Sequence, residues 1–330
     1  MSMAGTNLFD LGATGVERIL ENAQSVLETG FSTIVKHMHT LRVVGTFLHN
    51  APAYERAVAQ ATAARLYSSH VDLSIHRDYA LSDDEILSEI AMASSATDLL
   101  LTSYTDPQTF GDGRRLTEKL PSVVSKPMIS LADDIYAHQS ALAELASVRY
   151  NLDRIEGRRI VICWGFGSRF VLPRTPHSLL ILGAMLGAEM RVAAPPGFSL
   201  VRRAVREARR RAKTTSIVIE EVDSFEGAFE DADAVFALNW GRLDNFNHPE
   251  RNAEDASPFK DWFLTGNMLP KNCLFATEPP VQDDLIAGGE LLQSNRNVTP
   301  TWLRRRVAVL AASILHVIQK SEVDVPAALV

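Results

Sequence analysis

The chain has 330 residues, 46% hydrophobic and 22% charged, enough apolar material for a sizeable core and enough length for two domains. Its formal net charge of −7 and sequence pI near 5.7 argue against wholesale binding to nucleic acid or anionic lipid, both of which reward clustered positive charge. A small molecule is the expected partner, with no nucleic acid and no membrane.

Apolar clusters bounded by turn residues predict strands at Leu41 to Leu48, Val71 to Ile75, Asp98 to Ser103, Pro127 to Leu131, Arg159 to Trp164, Glu189 to Ala194, Ser216 to Glu220, Ala234 to Leu238 and Cys273 to Thr277. Between them run helix-period segments, Asp83 to Ser95, His138 to Tyr150, Ser178 to Gly187 and Leu200 to Lys213. Strand and helix alternate, the pattern of parallel sheets covered on both faces, so the expected fold class is α/β. The Asn-Leu-Asp turn and Gly157 after HQSALAELASVRY restart that rhythm at Arg159. This places a boundary between a domain of residues 1–145 and one of residues 146–300. A last helix, Thr301 to Gln319, carries apolar residues at Val307, Leu310, Ile314 and Ile318 and suits a strut packing across the junction. The opening MSMAGTNLFD lacks the basic and apolar regions of a signal peptide, and VAVLAASILHVI is too short to span a bilayer, so a cytoplasmic location is expected.

Gly165-Phe166-Gly167 after the strand IVICW invites a dinucleotide reading, but Phe170 stands where the third glycine belongs and no acid ends the next strand. That reading is rejected, and no cofactor is expected. The basic run Arg202 to Lys213 spreads its arginines around a helix and reads as a solvated face. His37 and His39 share one side of an extended segment without an adjacent third ligand, which favours a surface pair over a metal site. Cys163 and Cys273 lie inside predicted strands and read as buried thiols. More telling is Arg174, in PRTPHSLLILGAMLGAEM, with Thr175 as a candidate cap and Pro176 in the first helical turn. It falls just outside the carboxyl end of a parallel strand, where open α/β sheets place ligands, and a guanidinium there grips a carboxylate in bidentate fashion. A surface ion pair is the plain alternative.

Taken in order, RRIVICWGFG with PRTPHSLLILGAMLGAEMRVAAPPGF, then SFEGAFEDADAVFALNW, NCLFATEPPVQDDLI and QSNRNVTPTWLRRRVAVLAASIL resemble the acceptor domain and closing helix of the aspartate/ornithine carbamoyltransferase superfamily. The likeness extends over nearly the whole length. Trp164 and the insert GFGSRFVLPRTP resemble the branch that uses modified amino-acid acceptors. The resemblance implies two doubly wound parallel-sheet domains, with residues 301–320 packing back across the junction. It also implies a carbamoyl-phosphate domain followed by an amino-acid domain, a homotrimer, and amino acid and carbamoyl phosphate as substrates.

The phosphate loop departs from the family's pattern. Where the family has Ser-Thr-Arg-Thr, FLHNAPAYERA supplies Pro52, Ala53, Tyr54 and Glu55, with Arg56 next. On balance the exchange removes two hydroxyls and a guanidinium and adds an anion that repels phosphate. The strand that ends in a phosphate-contacting arginine ends here in Thr102, Ser103 and Tyr104, and the His-Pro-Thr-Gln motif becomes Ala137-His138-Gln139-Ser140, with His138 displaced by one residue. The acceptor strand ends Ala237-Leu238-Asn239-Trp240-Gly241, and Thr277-Glu278-Pro279-Pro280 replaces the His-Cys-Leu-Pro motif. Arg174 matches the arginine that binds the acceptor carboxylate, and Arg296 the Asn-Arg loop.

The expected catalytic residues are therefore His138, Gln139, Arg56 and Glu55. The expected substrate-binding residues are Asn50, Tyr54, Ser140, Arg174, Thr277, Glu278, Pro279 and Arg296, around one cleft, with no metal. The reading is transfer of a carbamoyl or related group to the amine of a non-standard amino acid. Two alternatives stand beside it. One is phosphate-free chemistry of lyase, cyclase or dehydratase type, with Glu55 and Glu278 as proton-transfer acids; the other is a non-catalytic paralogue.

Overall fold

The computed structural model describes residues 8–75, 81–106, 108–167, 170–278 and 286–323. In chain order its elements are α1 (Gly12–Thr29), α2 (Ser32–Val35), β1 (Val43–His49), α3 (Ala53–Arg65), β2 (Ser69–Asp72), α4 (Asp83–Ser94), β3 (Leu99–Tyr104), α5 (Asp112–Lys119), β4 (Met128–Ala132) and α6 (His138–Leu152). There follow β5 (Arg159–Trp164), α7 (Arg174–Met185), β6 (Glu189–Ala193), α8 (Arg202–Thr215), β7 (Ile219–Val222), β8 (Ala234–Leu238), α9 (Asn252–Ala256), β9 (Leu274–Ala276), α10 (Gly289–Leu292) and α11 (Trp302–Val323). Two compact units result, Met1–Ala146 with Leu303–Val330, and Ser147–Trp302.

The first unit is built on a parallel sheet of order β2-β1-β3-β4. Successive residues of a strand face opposite sides, and both sides here are apolar. Leu48, Leu99, Leu101, Ile129 and Leu131 pack in one cluster with residues of α1, α3 and α11, while Phe47, Leu100, Tyr104 and Met128 pack in another with residues of α4 and α5. Helix α11 supplies Leu310, Ile314, Leu315 and Ile318 to the first cluster, each worth about 1.5–3 kcal/mol on full burial. Chain order reverses between β1 and β3, so the crevice at their carboxyl ends is the unit's topological switch point.

The second unit carries a parallel sheet of order β7-β6-β5-β8-β9, with its switch point between β5 and β8. The architecture is therefore α/β with two doubly wound parallel sheets, as the alternation predicts. Boundaries move for local reasons. Ser216 takes the left-handed conformation at φ 57° to close α8, which delays the following strand to Ile219. Helix α7 begins at Arg174 rather than Ser178, because Pro176 is accommodated in a first turn whose N–H groups need no helical partner. Thr175 is not its cap; Pro173 precedes the helix without a side-chain hydrogen bond. The basic helix α8 is laced by ion pairs, Arg210 and Arg211 to Glu207 at 2.7 and 2.8 Å and Arg209 to Glu221 at 2.6 Å. No helix among the described residues is long and apolar enough to cross a membrane.

Candidate functional site

At the switch point of the first unit, β1 ends in His49 and turns at Asn50, which adopts a left-handed φ of 53°, a conformation Asn tolerates better than most residues. The Asn50 amide donates to the Thr105 carbonyl at 3.0 Å, and the His49 ring stacks on Tyr104 at 4.8 Å, so the crevice is bridged by side chains from both strands. Pro52 then leads into α3 without a side-chain cap.

Glu55, in the first turn of α3, is buried. Its Oε2 accepts a hydrogen bond from Nη2 of Arg306 at 2.8 Å, and the two side chains are 3% and 1% exposed. The same guanidinium donates to the Ser140 hydroxyl at the start of α6 and lies 5.9 Å from the Tyr54 ring centroid. A carboxylate at a helix N-terminus complements the dipole, and a buried guanidinium needs a counter-ion; each supplies what the other lacks. Thus Tyr54, Glu55 and Ser140 come together around Arg306. Arg56 points elsewhere, donating to the Leu48 carbonyl at 2.7 Å and lying 3.8 Å from Asp72.

His138 and Gln139 open α6 in the interior. The His138 ring lies edge-on to Phe9 at 4.4 Å and stacks on Tyr136 at 5.6 Å, and neither of its nitrogens has a hydrogen-bond partner among the described residues. Burial, with Arg114 nearby, lowers its pKa to about 3, so the ring is neutral at physiological pH. Gln139 donates from Nε2 to the Ser313 hydroxyl of α11 at 3.1 Å. Both side chains are buried, and Oε1 of Gln139, like the two His138 nitrogens, has no hydrogen-bond partner among the described residues.

The adjacent loop holds Asp133 and Asp134, which motif reasoning passed over. Asp134 accepts the backbone N–H groups of Gly111, Gly113 and Arg114 at 2.6, 3.1 and 2.9 Å and so occupies the N-terminus of α5. This requires close approach: a Cβ on Gly113 would stand 2.4 Å from the Tyr104 carbonyl oxygen. Asp133 accepts from the N–H groups of Ile135 and Tyr136 and from Arg114 at 3.2 Å; burial raises its pKa against these partners.

In the second unit the switch point is sealed by aromatic side chains. The Trp164 indole donates to the Trp240 carbonyl and the Trp240 indole to the Phe198 carbonyl, both at 2.7 Å. Asn239 donates to the Gly165 carbonyl at 3.0 Å and backs so closely onto Gly167 that a Cβ there would meet its amide at 2.7 Å. The two glycines of the rejected dinucleotide motif thus permit close packing with Asn239 and Ile286.

Half-buried Arg174 is the first residue of α7. Beside it the Thr175 hydroxyl donates to Oε1 of Glu278 at 3.1 Å, joining the first turn of α7 to the segment after β9. Thr277 is buried, its N–H donating to the Thr299 hydroxyl at 3.0 Å. Thr175, Thr277 and Glu278 therefore gather within this unit at the end of α7 that carries Arg174. Arg296 holds the Pro270 and Gly266 carbonyls, both at 3.2 Å, and so fastens the loops before β9. Pro279 lies outside the described residues. Among the described residues no three His, Cys, Asp or Glu side chains converge as metal ligands would.

Arg306 is the main residue that sequence reasoning missed. It sits in the triplet Arg304-Arg305-Arg306, which reads as a charged run. The helical repeat held a signal, because Arg306 precedes Leu310 and Ile314 at intervals of four and so lies on the apolar stripe. Its neighbour Arg305 is also buried, donating to the Ala143 carbonyl at 3.0 Å.

Residues 160–277 match the family model described as aspartate/ornithine carbamoyltransferase, Asp/Orn binding domain. YgeW of Escherichia coli strain K12, whose name marks it as a candidate carbamoyltransferase, is 28% identical over 117 residues, a stretch that spans 34% of this chain and 30% of that relative. The ornithine carbamoyltransferase of Halalkalibacterium halodurans is 23% identical over 266 residues, 78% of this chain and 77% of that protein. The crystal structure of acetylornithine transcarbamylase complexed with acetylcitrulline superposes with a TM-score of 0.84 at 15% identity, covering 94% of this chain and 98% of that one. This last likeness speaks for the fold alone.

Proposed function

Because the chain belongs to the aspartate/ornithine carbamoyltransferase superfamily, we propose that it binds a non-standard amino acid through its carboxylate and transfers a carbamoyl or related group to its amine. The observation that carries this reading is Arg174 at the first turn of α7, with the paired Thr175 and Glu278 beside that turn. A guanidinium at a helix N-terminus combines a bidentate donor with the positive end of the dipole, two features that favour a carboxylate. With carbamoyl phosphate as donor, the amine nitrogen attacks the carbamoyl carbon, the tetrahedral intermediate collapses with cleavage of the bond to the phosphate oxygen, and the amine proton leaves to solvent. Positioning and oxyanion stabilisation carry such a step without covalent catalysis. Incubation with carbamoyl phosphate and a panel of amino acids, read by mass spectrometry for ureido products and by phosphate release, tests it. Absence of both across the panel would overturn the transferase reading.

The Glu55–Arg306 pair favours a second reading, phosphate-free chemistry on an amino-acid-derived substrate. In the family's phosphate loop the corresponding segment grips an anion; here its first turn already holds one. Under this reading a product forms from the amino-acid substrate with no phosphate donor present.

A further inference from the structure

We propose that Glu55 is a specificity determinant: its carboxylate is the built-in anion of the site at the start of α3, and it excludes a phosphate-bearing co-substrate from that position. The inference rests on the phosphate-free reading. Three observations carry it. Arg306 is wholly buried on the apolar stripe of α11, where a guanidinium persists only beside a counter-ion, and Glu55 is a carboxylate it contacts, at 2.8 Å. The Ser140 hydroxyl meets the same guanidinium from α6, so a cation, a hydroxyl and the first turn of a thirteen-residue helix converge, the components of an oxyanion site. The other carboxylate oxygen, Oε1 of Glu55, is buried without a hydrogen-bond partner among the described residues, so the carboxylate leaves part of its acceptor capacity unused in this setting. A phosphate against the same guanidinium would stand beside that oxygen, two anions in a poorly solvated place.

Chemical rescue tests this. Glu55→Ala removes the carboxylate and leaves a space beside Arg306 that acetate or inorganic phosphate fills. Thermal unfolding of the full chain is followed in acetate, inorganic phosphate and chloride at matched ionic strength. The wild type is expected to show the same Tm in all three. Glu55→Ala is expected to gain several degrees in about 50 mM acetate or phosphate relative to chloride, as linkage requires of a ligand present well above its Kd, and Glu55→Ala/Arg306→Met to gain nothing. If Glu55→Ala does not fold in chloride, recovery of folded protein by refolding in acetate or phosphate supports the assignment. Failure to recover, with the double variant folded, overturns it. Equal Tm of folded Glu55→Ala in the three salts, or stabilisation of the wild type by phosphate as large as that of the variant, also overturns it. Phosphate release from carbamoyl phosphate by the wild type would overturn the exclusion together with the phosphate-free reading, even where acetate rescues Glu55→Ala, whereas failed rescue with no phosphate release would overturn the Glu55 assignment and leave that reading standing.

Discussion

Replacing His138 by Phe separates a packing role from a titrating one. Burial holds the ring's pKa at about 3 in the folded chain, against an ordinary value of 6.5 in the unfolded chain. Between these values the unfolded state binds one more proton than the folded state, so the stability this group contributes is fully present above pH 6.5 and is lost as pH falls toward 3. Each unit in the window is worth about 1.4 kcal/mol, which amounts to a loss of about 2 kcal/mol at pH 5. A phenyl ring does not titrate. At neutral pH the variant loses two unpartnered nitrogens, a gain of about 1–3 kcal/mol, and strains the contacts with Phe9 and Tyr136 by a similar amount. The stability difference at pH 7.5 is therefore small, and the diagnostic is its growth by about 2 kcal/mol in the variant's favour by pH 5. Asp133 and Asp134, whose burial raises their pKa values, act in the opposite direction, but they are common to both proteins and cancel. Urea unfolding at stepped pH measures the difference. Parallel pH profiles would show that the ring titrates normally, and with it the account of an interior, neutral His138 would fail.

Breaking the Glu55–Arg306 pair from one side, by Glu55→Gln or Arg306→Met, leaves a buried group uncompensated and should cost about 3–5 kcal/mol in urea unfolding; Glu55→Leu/Arg306→Met should cost far less, and equal losses in all three would refute a coupled buried pair. Arg174→Lys keeps the charge and removes the fork, so affinity for a carboxylate-bearing ligand, by calorimetry, should fall about tenfold or more; undiminished affinity would count against Arg174 as the handle. Gly113→Ala sets a methyl 2.4 Å from the Tyr104 carbonyl and should destabilise the chain by about 1–3 kcal/mol through displacement of α5, whereas Gly111→Ala, with no atom within 4 Å of its Cβ but φ at 100°, should act through backbone strain alone.

The alternation of apolar period, a local property, determined where strands and helices lie: the nine predicted strands each overlap one of β1 to β9, and the α/β class follows from their alternation with helices. That Arg174 falls between a parallel strand and the helix that follows it was legible too, because sequence neighbours alone set that order. The chain likewise shows that the first turn of the helix after β1 bears an acid, Glu55, among the positions where a phosphate cradle wants donors. What only the tertiary structure decided is the partner each charge meets. Glu55 and Arg306 are separated by 251 residues and Gln139 and Ser313 by 174, and no periodicity reports contacts at such range. Burial then settles their chemistry, since a carboxylate beside a guanidinium inside a dry core is a structural counter-ion, and an imidazole between two aromatic rings stays neutral. Residue type is written in the chain, but the dielectric and the neighbour that set its protonation and its freedom to act exist only once distant segments have packed together.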